Sequence, residues 1–188
     1  MNAFFEKNWM FIAIAVALAL VVHAVTLVDL PQAVMARALD DLSQGRGFNT
    51  IRHAARADAT SRKIVRPSPD LLYSVCPFDL DQAHGALRVH ADVPPGTYWS
   101  VSVFDAYTDN VFIENNRQAT GGKVDFVIVG PKSGLIDGGK AHAPQQVYSP
   151  TVKGLVLFRT LIDDEANLPE IDAARRQAGC SPYVDGGM

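Results

Sequence analysis

A mainly β protein, an antiparallel β-sandwich or jelly-roll-like domain preceded by one N-terminal transmembrane helix, is the architecture this chain of 188 residues predicts. Three observations point there. Trp9 to Val28 reads WMFIAIAVALALVVHAVTLV, an uncharged run that as a helix spans about 30 Å, the hydrocarbon thickness of a bilayer. After Pro69 the chain breaks into short runs rich in β-branched and aromatic residues. Between those runs lie PPG, DAYTDN, TGG and DGG, each of turn composition.

The apolar run opens the order of elements and sets residues 1–30 as the anchor. Its rival is a cleaved signal peptide, since Val22-His23-Ala24 has the small-residue spacing of a cleavage site and Lys7 gives a basic flank. The run is longer than an ordinary signal core, which favours retention. Lys7 precedes the span and Arg37 alone follows it closely, so the short tail is expected in the cytoplasm and the remainder in the periplasm of a bacterial inner membrane.

Residues 31–66 read as a helical and basic connector. Pro31 suits the first turn of a new helix, Val34, Ala38 and Leu42 with Met35 and Leu39 share one face, and Gly45 and Gly47 end it. HAARADATSRK, 53–63, has room for two further helical turns. Residues 1–66 hold eight Lys/Arg against five Asp/Glu, and residues 67–188 hold nine against fifteen. The six cations from Arg46 to Arg66 fit a solvated face or the anionic surface of membrane lipid. An acidic bulk without alternating aromatics argues against nucleic acid.

Residues 67–188 form the sandwich, and six strands are expected: 71–76, 86–91, 97–104, 111–113, 123–130 and 154–162. Leu87, Val89 and Ala91 alternate with Arg88 and His90, and Trp99, Val101 and Val103 alternate with Ser100 and Ser102, the pattern of one dry and one wet face. The last two runs are apolar on both faces and suit central strands. PEIDAARRQA closes the fold as a short helix.

Few motifs carry chemistry. Gly134 to Ala141 has the G-x-x-x-x-G-K spacing of a phosphate loop, but Ala141 stands where the magnesium-binding hydroxyl belongs and Pro144 follows, so it is rejected. Asp79, Asp81 and His84 could meet around a cation, although a turn rich in Asp more often bonds its own backbone, and no metal is expected. Cys76 has apolar flanks unsuited to a nucleophile. Cys76 and Cys180 make an even pair without metal spacing, which leaves a disulfide or two buried thiols open. His23 in the apolar run is a candidate ligand for haem or bacteriochlorophyll, because Ala19-x-x-x-His23-x-x-x-Leu27 resembles the pigment-binding pattern of light-harvesting polypeptides. Its other reading is an interfacial or helix-packing histidine.

VRPSPDLLYSVCPFDL, GTYWSVSVFDAYTDNVFIENNRQATGG, FVIVGPKSG and YSPTVKGLVLFRTLID, in that order over roughly residues 50–180, resemble the bacterial domain-of-unknown-function family 1254. On that resemblance Pro69, Asp70 and Tyr73 fall on the family's N-P-D-x-x-Y-S core, with Ser68 in place of Asn. Asp105, Tyr107, Asn110 and Arg117 fall on its D-A-Y-x-x-N block, Gly130 and Pro131 on its G-P turn, and Ser149, Pro150 and Arg159 on its last strand pair. The resemblance implies an all-β sandwich and no reaction. It also implies a second domain, family 1214, for which this chain has no room.

The expected role is therefore that of a non-enzymatic, single-span membrane protein whose β domain serves as an interaction or accessory subunit of a membrane complex, photosynthetic or respiratory. Its partners would be lipid, other subunits, or a separate family 1214 polypeptide. The rival is a periplasmic small-molecule-binding module or enzyme in which Asp70, Tyr73, Asp105, Tyr107 and Arg117 line a ligand pocket.

Overall fold

The computed structural model describes residues 2–62, 66–133 and 144–184, with side chains from residue 7 onward. The rejected phosphate-loop spacing at 134–141 lies outside the described residues. Helix α1 spans Asn2–Ser43 without interruption, with Pro31 inside it. This corrects the expectation of a separate helix starting at Pro31. A mid-helix proline forfeits one backbone hydrogen bond and costs about 3 kcal/mol. Met35, Ala38 and Leu39 offset that loss, because they are buried against strands of the sandwich while Val34 stays exposed. Burying one such large apolar side chain contributes roughly 1.5–3 kcal/mol. Left-handed Gly45 and Gly47, at φ 78° and 77°, end the helix, and the Gly47 N–H donates to the Ser43 carbonyl.

From Lys7 onward α1 is long and apolar enough to cross a membrane. Trp9, Leu18 and Leu27, each more than 60% exposed, show that nothing among the described residues covers this stretch. A water-soluble fold rarely leaves so continuous an apolar surface bare.

Two sheets pack face to face. The first has the order β1-β2-β8-β4-β5, from Arg52–His53, Leu71–Asp79, Lys153–Leu161, Trp99–Asp105 and Asn110–Asn115. The second has the order β7-β6-β3-β9, from Gln145–Tyr148, Lys123–Val129, Ala86–Asp92 and Gly179–Pro182. Helix α2, Leu168–Arg175, precedes β9. As their two apolar faces required, β6 and β8 are interior strands. The sandwich is mixed rather than purely antiparallel, because β7 runs parallel to β6. The connection over residues 130–144 is long enough for the crossover of about a dozen residues that a parallel pair needs. HAARADATSRK is not helical over residues 53–62: it opens in β1 and continues as irregular chain with a turn.

The core holds Phe78, Trp99, Val101, Val103, Phe126, Val156 and Phe158, all 1% exposed or less. Trp99 packs on Phe158 at 6.2 Å and Phe112 on Phe126 at 4.7 Å between ring centroids. Across this core Cys76 of β2 and Cys180 of β9 are joined by a disulfide that ties one sheet to the other.

Candidate interaction surface

The five pocket candidates take up separate positions, and two of them, Tyr73 and Asp105, bond the backbone through their side chains. At the start of β2 the Tyr73 hydroxyl accepts the Ser68 N–H at 3.0 Å, and the Asp70 N–H donates to Ser68 Oγ at 3.2 Å. The proline-rich corner is thus closed by a tyrosine, with the Asp70 side chain exposed. Buried Asp105 ends β4, and its Oδ1 accepts the N–H groups of Tyr107 at 2.8 Å and Asp109 at 2.9 Å. That Asx turn allows Thr108 its φ of 72° and leaves Tyr107 half exposed. Arg117 is exposed in the turn after β5, where its N–H donates to Asn115 Oδ1.

The register separates these groups. Leu71, beside Asp70, pairs with Leu161, whereas Asp105 pairs with Gly154 at the other end of β8. Seven residues of strand is roughly 23 Å. Arg117 follows the opposite edge strand, with β8 and β4 intervening. A cleft lined by Pro94, Pro95, Asp163, Asn167, Glu170 and Ile171 contains none of the five.

Other candidates are also held by the fold. Asp79 Oδ1 accepts the Asp81 and Gln82 N–H groups, and Asp81 pairs with Lys132 at 3.0 Å. Among the described residues no His, Cys, Asp and Glu group is arranged to hold a metal. His23 lies exposed on α1, and one turn on, the Thr26 hydroxyl donates to the Val22 carbonyl.

Two arginines matter more than the sequence indicated. Arg175 of α2 is 5% exposed, pairs with Asp172, and donates from Nη1 to the carbonyls of Ala54 at 2.9 Å and Tyr73 at 2.8 Å. It fastens the connector and α2 to β2. Burial pushes the Asp172 carboxyl up, but its bonds and charges from Arg176 and Arg175 outweigh that and hold it below the usual range. His53, whose Nδ1 lies 2.8 Å from Ser74 Oγ in the same cluster, is lowered from 6.5 by burial and then by the charges of Arg175 and Arg176. A histidine with a depressed folded pKa stabilises fully above 6.5, and that contribution is lost as pH falls through the lower folded value. We therefore expect a melting temperature that is level above about pH 7 and declines below it. The upper part of the decline should vanish in His53→Gln, as thermal melts at a series of pH values would show.

The second arginine, Arg159, marks the surface that differs most from expectation. Phe158 and Val156 point into the core, so Leu155, Leu157, Arg159 and Leu161 alternate to the outer face of the first sheet. There Tyr73, Arg159, Ser100 and Asn115 form one cross-strand row, and Val75, Leu157, Ser102 and Ile113 the next. Ser100 and Ser102, expected on a wet face, are 0% and 1% exposed. Larger neighbours on both flanking strands close over these short side chains. Their hydroxyls and Arg159 Nε are buried without a hydrogen-bond partner. The outer face of the second sheet is different in character, with Arg88 on Asp125 at 2.6 Å and Lys123 on Asp92 at 3.9 Å.

Comparison with known families supplies the affiliation. Residues 48–182, well over half of the chain, match the family described as protein of unknown function (DUF1254). The chain belongs to that family. Among curated proteins nothing matches. Among solved structures, this DUF1254 protein is similar to the VPA0106 protein from Vibrio parahaemolyticus, with 14% identity and a TM-score of 0.55 over 87% of this chain and 41% of that one. A structure from Burkholderia cenocepacia is similar at 13% identity and a TM-score of 0.44, over 88% and 44% of the two chains. The DUF1254 chain thus spans less than half the length of either protein. The first likeness agrees with the two-sheet fold.

Proposed function

We propose that this DUF1254 protein is a non-enzymatic, membrane-tethered interaction module, whose single span holds a β-sandwich at the periplasmic face of a bacterial inner membrane as an accessory subunit of a membrane complex. The observation that carries the reading is the joint between anchor and domain. One helix runs from the exposed apolar stretch into Met35, Ala38 and Leu39, which are packed on the sandwich, so the domain sits against its tether without a flexible linker. A tether of that kind suits a subunit that must present one surface at a set height above the membrane. The disulfide supports an oxidising compartment outside the cytoplasm. The scattering of Asp70, Tyr73, Asp105, Tyr107 and Arg117 weighs against a pocket for a small molecule. A separate family 1214 polypeptide or another membrane subunit would supply the partner.

The test is native mass. Extracted in mild detergent, the full chain should run as a complex of at least two different polypeptides, with its components read by mass spectrometry. Recovery as a lone chain under every extraction condition would count against the reading.

A further inference from the structure

We propose that the outer face of the first sheet, centred on Arg159, is the docking surface, and that it takes a second polypeptide presenting an Asp or Glu side chain flanked by apolar residues. This rests on the interaction-module reading above. Three observations on that face converge. Its outward positions from Leu71 to Val75 on β2 and from Leu155 to Leu161 on β8 are apolar apart from Tyr73 and Arg159, and at its margin Ile113 is 49% exposed. Arg159 makes no ion pair and no hydrogen bond among the described residues, unlike Arg56, Arg88, Arg175 and Arg176, each of which meets a carboxylate. Directly opposite, Ser100 carries a hydroxyl that is fully buried and unpartnered, and Ser102 repeats it one row on.

The chemistry missing from this patch is a negative charge. Arg159 brings a positive charge, the hydroxyls of Tyr73, Ser100 and Ser102 and the Asn115 amide are neutral, and no carboxylate stands among the outward residues of these two rows. A partner carboxylate would take two parallel N–H bonds from the guanidinium, which is the charge-assisted geometry arginine favours. Leucine and isoleucine around it would exclude water from that pair, as apolar surroundings do for the charged centre of a contact. Arg159 and the apolar residues around it are partly exposed on a sheet face, so the geometry fits a protein segment laid across the strands. The apolar end of α1 already packs against β2 and β8, and a partner seated here would lie beside the tether.

The experiment uses the full chain in its own membrane, with a photoreactive amino acid at Leu157 and, in a second variant, at Tyr148 on the edge of the other sheet. After illumination the crosslinked peptide is sequenced. The expected result is a peptide of a different polypeptide, crosslinked from Leu157 and bearing Asp or Glu near the point of attachment. Arg159→Glu should lower that yield about tenfold or more, the size of effect expected for breaking a desolvated charge pair. Placing Arg at the partner's carboxylate should restore it. Folding is checked independently, since the melting temperature of Arg159→Glu should stay near that of the wild type.

Crosslinks to a partner from Tyr148 alone, a peptide without a carboxylate, capture of a second copy of this chain, or a yield indifferent to Arg159→Glu would each overturn the docking face while leaving the interaction-module reading standing. No crosslink from either position, together with a lone chain in detergent, would overturn both.

Discussion

Cys76→Ala combined with Cys180→Ala should cost this protein close to 4 kcal/mol, because the bridge closes a loop of 104 residues. The chain-entropy treatment gives about 4.7 kcal/mol for a loop of this size, and compactness of the unfolded chain trims it. Its position adds a packing consequence. Cys76 is fully buried and belongs to the inter-sheet core, while Cys180 lies on four-residue β9, which is held to the second sheet by β3 alone. Losing the bridge should therefore loosen β9 and α2 before the remainder melts. Denaturant unfolding of the oxidised and reduced wild type and of the double alanine variant would measure both effects. Amide exchange should rise first over residues 168–182. Equal midpoints with and without reductant would show that the disulfide carries no stability.

Gly154→Ala should be nearly as damaging, although it adds only one methyl group. Gly154 opens β8 between Phe78 of β2 and Asp105 of β4. A Cβ there would overlap the Phe104 carbonyl oxygen and the Phe78 ring. The ring is wholly buried and the carbonyl is backbone, so neither can yield without moving a strand. Overpacking of a full core typically costs 1–3 kcal/mol, and an overlap with backbone belongs at or above the upper end, about 3 kcal/mol. The comparison Gly96→Ala isolates the cause. Gly96 has a left-handed backbone, at φ 78°, but open space around its Cβ position, so its penalty should be confined to backbone strain of about 1 kcal/mol. Urea midpoints for the two variants, referred to wild type, separate close approach from conformational preference.

Much of the fold was legible in the pattern of apolar residues, and the failures have physical causes. Period two located β3 and β4 because one face of each meets the core. It misjudged Ser100 and Ser102, since alternation reports which face a side chain takes and says nothing of how tall its neighbours are. Pro31 read as a boundary from local propensity, yet packing of Met35, Ala38 and Leu39 carried the helix through it. Strands β1 and β9 are too short for any period, and β9 is held by its disulfide and its pairing with β3. The parallel placement of β7 follows from a crossover that composition does not encode.

The site candidates were ambiguous in the sequence for a related reason. Asp and Tyr beside proline are the residues that bind ligands and also those that close turns, and the spacing of Asp70, Tyr73 and Asp105 fits both uses. The register, which spacing alone does not carry, sets Asp70 and Tyr73 beside one end of β8 and Asp105 beside the other. Arg175 had a faint signal in Asp172 three residues earlier, a helical ion-pair spacing. Arg159 had no such signal, because its lack of a partner among the described residues shows only once the strands are paired.

The central claim is that one uncleaved helix crosses the membrane and leaves the sandwich on the far side from the cytoplasm. Protease treatment of intact spheroplasts, followed by mass spectrometry of the alkali-washed membranes, tests this directly. The account predicts that the sandwich is digested without lysis while a fragment containing Trp9 to Leu30 stays in the membrane. A chain that begins after Ala24 and leaves with the soluble fraction, or a sandwich that survives until the spheroplasts are broken, would contradict it.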